Sequence, residues 1–148
     1  MEADQAAGVI DDKLLVSTVT TNLLGRIRLT SAHVNQLKSR RGVIVYNTSV
    51  LAYVPSAVTA VYFATKAALH SYVLSQRFLL RDSGVRVLEV APPWVRTELI
   101  NSQEAEQAMP LDQFISATLD ALGTDAEEIL VEPASLCERI LDLGNMPW

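Results

Sequence analysis

The sequence predicts an α/β fold: a small, doubly wound parallel sheet of three strands with flanking helices. Long segments with a four-residue apolar spacing alternate with short β-branched runs, in the order helix–strand–helix–strand–helix–strand–helix. The two main β-branched runs lack polar alternation, as expected of strands buried on both faces. Glycine or proline closes most segments, and the alternation implies a parallel sheet with right-handed crossovers.

Residues 11–39 read as the first helix, because Leu15, Val19, Leu23 and Ile27 recur at every fourth position. Leu24, Val34 and Leu37 widen that stripe, and Arg40-Arg41-Gly42 ends it with cations where the helix dipole favours them. Val43-Ile44-Val45-Tyr46-Asn47-Thr48 is the first predicted strand. A loop through Pro55 leads to a helix from Ala57 to Asp82, stopped by Ser83-Gly84. Val85 to Val90 forms the second strand, ended by Pro92-Pro93. Thr97 to Gln107 is polar and reads as a loop or short helix, with Thr97 a candidate cap. Leu111 to Leu122 is a helix opened by Pro110 and closed by Gly123. Glu128 to Val131 is a brief third strand, and Ser135 to Leu143 a last helix before Gly144.

The 148 residues suit one domain, and 49% hydrophobic with 20% charged residues is the balance of a chain with a core rather than a disordered one. A net charge of −5 excludes a sequence-independent grip on nucleic acid, which needs a basic face. Glu98, Glu104, Glu106, Asp120, Asp125, Glu127, Glu128 and Glu132 cluster late and read as a solvated face. Residues 1–12 hold no apolar run fit for a signal peptide or a membrane span, so a cytoplasmic location is the default expectation. Cys137 is the single cysteine, which excludes an internal disulfide; with only His33 and His70 besides, no metal site is expected. Tyr46, Tyr53 and Tyr72 read as core or rim aromatics, and His70 as a surface or packed histidine.

The chemistry centres on Tyr62 and Lys66, four apart and therefore on one face of the second long helix. A phenol with an ordinary pKa of about 10 is a poor acid–base group near neutrality, and a nearby ammonium is expected to lower that value. Ser49 ends the first strand, 13 residues before Tyr62, at the sheet edge where open α/β folds place ligands. Its hydroxyl is a candidate hydrogen-bond donor to a substrate oxygen.

Ser49, the Tyr62/Lys66 pair and the run Tyr62-Phe63-Ala64-Thr65-Lys66-Ala67-Ala68 resemble the catalytic segment of the short-chain dehydrogenase/reductase family. Asn22, 27 residues before Ser49, matches the family's fourth catalytic residue, an asparagine supporting a proton-relay water. Val90-Ala91-Pro92-Pro93-Trp94-Val95-Arg96-Thr97 resembles the stretch that passes the nicotinamide and pyrophosphate, with Pro93 standing where a glycine is usual. Met109-Pro110-Leu111-Asp112-Gln113-Phe114 is similar to a DltE-like branch. The resemblance implies hydride transfer between NAD(P)(H) and a small carbonyl or alcohol. Tyr62 would then be general acid/base, Lys66 its partner, Ser49 the substrate-oxygen donor and Asn22 the relay. Tyr62, Lys66, Pro92, Val95 and Thr97 would contact the cofactor, and the helices at 11–39 and 57–82 would form a homo-oligomer interface.

Gly8, Gly25, Gly42, Gly84, Gly123 and Gly144 are too dispersed for the glycine-rich turn that holds a dinucleotide pyrophosphate. The expectation is therefore an N-terminally truncated, partial domain over 1–148, the C-terminal part of a Rossmann-type sheet without its cofactor-binding half. The first strand would become an exposed apolar edge, and the sheet face opposite the long helices would be covered by the 135–143 helix alone. Three alternatives to the oxidoreductase stand beside it: a non-redox interaction protein, a cofactor-independent isomerase or cyclase, and an incomplete gene model. An in-frame Thr-Gly-x-x-x-Gly-x-Gly encoded immediately upstream would identify the last.

Overall fold

The computed structural model describes residues 10–53, 59–99 and 102–131. Helix α1 (Asp12–Val19) starts where the Asp11 carboxylate accepts the Lys13 amide at 3.0 Å, satisfying one of the orphan donors of the first turn. The helix does not run on regularly to residue 39, as its periodicity predicts. Thr20–Leu24 is a π-helical turn, and the Gly25 amide bonds back to the Thr20 carbonyl five residues earlier. Helix α2 (Gly25–Arg40) follows and ends with Arg41 in the left-handed region at φ 50°, its last carbonyls taken by the Arg41 and Gly42 amides.

Strands β1 (Val43–Asn47), β2 (Arg86–Ala91) and β3 (Glu128–Leu130) form one parallel sheet in the order β1-β2-β3. Val43 pairs with Arg86 at one end of the sheet, and Ala91 with Leu130 near the other. Helix α3 (Ala60–Leu80) crosses from β1 to β2, and α4 (Leu111–Leu122) from β2 to β3. Pro110 and Gly123 flank α4 as the sequence predicts. The predicted helix start at Ala57, the helix at 135–143 and Cys137 lie outside the described residues.

On one sheet face Tyr46 and Val87 pack with Leu69, Val73 and Leu80 of α3, sealed by Leu23, Val34 and Leu37. On the other, Val90 and Ile129 pack with Met109, Val131 and the Phe114, Ala117 and Ala121 side of α4. Two expectations are corrected here. Helix α4 covers part of the second face, so residues 135–143 are not its sole cover. It packs with Val90 of β2 and Ile129 of β3, and β1 is not buried on both faces: Val43 and Val45 are 46% and 50% exposed while Tyr46 is buried. An apolar run without alternation predicts a doubly buried strand, yet its apolar residues face solvent on one side. Among the described residues β1 pairs with β2 alone, which makes it the edge strand that the sequence implies. No helix among the described residues is long and apolar enough to cross a membrane.

The turn into β2 depends on Gly84, whose φ of +76° disfavours any side chain. A Cβ there would sit 3.1 Å from Cγ of Arg41, which already holds a left-handed conformation. Gly84→Ala is expected to cost about 1 kcal/mol or more. Urea unfolding of the two proteins reads this directly, and equal midpoints would show that the turn relaxes freely.

Candidate active site

The π-turn, the end of β1 and the first half of α3 converge. Lys66 is buried, 9% exposed, and its Nζ donates to the backbone carbonyls of Thr48 at 2.8 Å and Asn47 at 3.2 Å. Those carbonyls belong to the carboxyl end of β1, where the strand stops pairing and leaves acceptors open. The same Nζ lies 5.4 Å from the centre of the Tyr62 ring, one helical turn back. Tyr62 also meets Phe63 edge to face at 6.1 Å.

Burial holds the Lys66 pKa well below its ordinary value, at about 8, and the Arg26 guanidinium pushes it the same way. For Tyr62 burial prevails in the opposite sense: its phenol sits above the ordinary value, with Arg26 pulling it down. The expectation that Lys66 would bring Tyr62 toward neutrality is thus corrected: desolvation outweighs the neighbouring charge, and the charge that lowers the phenol's pKa is Arg26. Arg26 was not legible as a site residue. It sits on the first turn after the π-segment, its guanidinium on the Thr21 carbonyl.

Asn22 lies within the π-turn, and its side-chain amide donates to the Thr65 hydroxyl at 3.4 Å. Thr65 stands between Tyr62 and Lys66 and donates to the Tyr62 carbonyl at 2.7 Å, so Asn22 is tied to the turn carrying the pair. A π-turn widens the helix locally and turns its side chains relative to a regular α-helix, and such turns are frequent at functional sites. Ser49 follows Thr48 and caps the short 3-10 turn Val50–Ala52; its Oγ accepts the Leu51 amide at 3.2 Å and reaches the Pro92 carbonyl at 3.5 Å. The Pro92 carbonyl also accepts the Val50 amide, which binds the ends of β1 and β2 together.

Val95 and Thr97 occupy the loop after β2. Ser102, 1% exposed, organises it: its hydroxyl donates to the Val95 carbonyl at 2.8 Å and accepts the Thr97 amide at 3.1 Å. Arg96 fixes the other side through the carbonyls of Ala105, Glu106 and Ala108. The described part of Thr97–Gln107 is therefore held in place by these bonds, with a 3-10 turn beginning at Leu99, and residues 100 and 101 lie outside the described residues. Sequence reasoning passed over Ser102 and Arg96 because a polar stretch gives no sign of which side chain turns inward.

Behind the lysine lies a buried polar cluster. Glu89 in β2 is 0% exposed; its carboxylate accepts the Thr48 hydroxyl at 2.6 Å and the His70 Nδ1 at 3.0 Å, with Arg77 3.9 Å away. The Tyr53 hydroxyl joins His70 to Glu128. Burial and the Glu128 carboxylate hold the Tyr53 phenol far above its ordinary pKa. Glu128 is thus not part of a solvated acidic face, whereas Glu98, Glu104, Glu106, Asp120, Asp125 and Glu127 are exposed. The signal for Glu89 was present in Val87-Leu88-Glu89-Val90: a carboxylate inside a buried strand must have partners.

Parallel strands whose carboxyl ends gather polar side chains beneath a crossover helix define the Rossmann-type class of α/β proteins. A short chain dehydrogenase from Burkholderia cenocepacia J2315, solved in complex with NADP, matches with a TM-score of 0.81 and 25% identity over 97% of this chain and 60% of that one. A Sphingobium yanoikuyae short-chain dehydrogenase in complex with NADPH has the same fold, with a TM-score of 0.74 over 98% of this chain and 60% of that one, at 23% identity. The profile of the short chain dehydrogenase family matches residues 1–108, and the chain belongs to that family. It is 41% identical over 101 residues to the uncharacterized oxidoreductase DltE of Bacillus subtilis (strain 168), covering 65% of this chain and 40% of that protein. It is also 32% identical over 154 residues to carbonyl reductase family member 4 of Danio rerio, covering 97% of this chain and 58% of that protein. The chain thus spans roughly two fifths to three fifths of the length of these two relatives.

Proposed function

We propose that residues 1–148 form the catalytic half of a short-chain dehydrogenase/reductase domain that transfers protons in the interconversion of a small carbonyl and its alcohol, with NAD(P)(H) as hydride partner. The observation that carries this reading is the buried Lys66 ammonium, fixed to the Asn47 and Thr48 carbonyls beside Tyr62. Burying a lysine costs several kcal/mol unless it is well paired, so a chain retains one where its charge has work. Tyr62, protonated at neutral pH, donates to a carbonyl oxygen; Ser49 is the second donor to that oxygen, and Asn22 holds the turn through Thr65.

A bound nicotinamide would supply the hydride. The residues present fit its reactive end: an ordered loop from Pro92 to Thr97 crosses the sheet edge that carries Ser49 and the Lys66 acceptors. Tyr62, Lys66, Pro92, Val95 and Thr97 would hold it. The sequence contains no glycine-rich turn for the pyrophosphate. Titrating the full chain with NADPH while following nicotinamide fluorescence tests the reading, and absence of binding at millimolar cofactor would overturn redox activity by this chain alone.

Burial of Tyr62 sets a directional pH dependence. Carbonyl reduction uses the protonated phenol, so its rate is expected to hold at neutral pH and below; alcohol oxidation uses the phenolate and climbs with pH. Rates measured both ways from about pH 6 to about pH 9 check this, and a flat oxidation profile would contradict it.

The same reading includes self-association through α1–α3, whose outer surface leaves Leu29, Leu74, Phe78 and Leu79 exposed, and a cytoplasmic location. Sedimentation of Phe78→Glu against the parent chain tests the interface.

A further inference from the structure

We propose that Glu89, with His70, is a positioning pair for Lys66: one buried carboxylate sets both the helix that carries the lysine and the carbonyl that receives it. This rests on the catalytic reading of Lys66 above and extends it to residues that touch neither substrate nor cofactor.

The strand side of the device is Thr48. Its amide donates to the Val90 carbonyl at 2.9 Å and its hydroxyl to Glu89 Oε1 at 2.6 Å, so backbone and side chain are both pinned to β2. What Thr48 has left to offer is its carbonyl, and this takes the shorter of the two Lys66 bonds, 2.8 Å against 3.2 Å to Asn47. The helix side is His70, one turn beyond Lys66 on α3; its Nδ1 lies 3.0 Å from both Glu89 oxygens. Donor and acceptor of the Lys66–Thr48 bond are therefore referenced to one carboxylate through directional bonds. A shift of α3 along β2 stretches the His70 bond, and a shift of the β1 end stretches the Thr48 bond.

The charged groups around the carboxylate are laid out for this. Arg77, about two turns further along α3, approaches Glu89 Oε2 at 3.9 Å and Glu127 at 3.5 Å, and donates to the Val87 and Glu127 carbonyls. Tyr53 bridges His70 to Glu128 from outside. An ion pair on a buried carboxylate such as Glu89 adds little net stability over an apolar pair of equal volume. What it does supply is fixed direction, which a Val or Leu at position 89 lacks.

The chain has three lysines, Lys13, Lys38 and Lys66. In full-length protein labelled with 15N at lysine Nζ, the Lys66 ammonium signal is identified by its loss in Lys66→Arg. Its proton exchange is expected to be slow beside that of Lys13 and Lys38, and to accelerate about tenfold or more in Thr48→Val, the loss of roughly one charged hydrogen bond. Thr48→Ser keeps the hydroxyl and is expected to restore the slow exchange; Glu89→Gln should behave as Thr48→Val does. Because a buried carboxylate variant can fail to fold, the Thr48 pair is decisive, with backbone amide spectra confirming that both variants are folded. Slow Lys66 exchange in folded Thr48→Val would overturn the proposal. In turnover, Thr48→Val should lower kcat severalfold with KM unchanged. If the parent chain has no turnover at saturating NADPH while the exchange pattern holds, the oxidoreductase reading fails and the positioning pair stands.

Discussion

Tyr62→Phe is expected to lower turnover by at least about 100-fold, since a placed general acid contributes roughly two to four orders of magnitude. The substitution removes a single oxygen. The ring keeps its edge-to-face contact with Phe63 and its place 5.4 Å from the Lys66 ammonium, so fold and lysine environment should persist. The phenol's bonding is lost, and with it the proton of a half-buried phenol that is neutral at pH 7. Ser49 cannot take over. An alkyl hydroxyl can donate a hydrogen bond to the substrate oxygen, but it is a far weaker acid than a phenol and cannot give up its proton. Lys66 is the other candidate donor, with a pKa of about 8 that suits proton transfer, but its Nζ is turned onto the Thr48 and Asn47 carbonyls. Reduction of a test carbonyl, followed by loss of NADPH absorbance, reads the effect. It belongs in kcat and kcat/KM together, because the interaction is one made with the developing alkoxide. Activity within tenfold of the parent would sink the assignment of Tyr62.

How much of this was legible follows from how far apart the cooperating residues lie. Tyr62 and Lys66 are readable because helical spacing alone places them together, and Ser49 because a strand end is marked by the change in composition around it. The helix α4 was legible to its terminal residues, since proline and glycine punctuate both ends. The π-turn at Thr20–Leu24 was not, because its sequence keeps the apolar spacing of an α-helix and the extra residue per turn leaves no compositional trace. Nor was the role of Arg26, whose influence on Tyr62 and Lys66 crosses from one helix to another. Glu89 falls between these cases. Its isolation among Val and Leu announces a buried partner, yet the partners are Thr48 and His70, 41 and 19 residues away, and only the parallel register brings them together. Exposure of Val45 is the reverse lesson: apolar identity predicts a buried face, and which face is covered depends on where α4 lands.

Lys66→Met is expected to abolish the lysine's catalytic role and yet make the fold more stable at neutral pH. In the unfolded chain the lysine has its ordinary pKa of 10.5; in the fold burial, reinforced by Arg26, lowers it to about 8. Below pH 8 both states carry the proton, and the folded state bears the whole cost of a desolvated charge, about 3 kcal/mol from a shift of this size. Between about pH 8 and pH 10.5 the unfolded state binds a proton that the folded state has released, so the parent's stability rises with pH; above that window the cost is gone. Methionine has similar length and no charge, but it leaves the Asn47 and Thr48 carbonyls without the lysine donor, which returns about 1 kcal/mol. The net gain at pH 7 is therefore about 2 kcal/mol, or a rise in Tm of about 4–8 °C for a chain of this size. Thermal unfolding of both proteins at pH 7 and near pH 10.5 tests it: the advantage of the variant should shrink to nothing or reverse across that interval. A pH-independent difference would show that Lys66 is not the group under strain. On the proposed function the expected outcome has the form of a stability–activity trade, in which a charge costly to the fold is held at the carboxyl end of β1 for proton transfer at Tyr62.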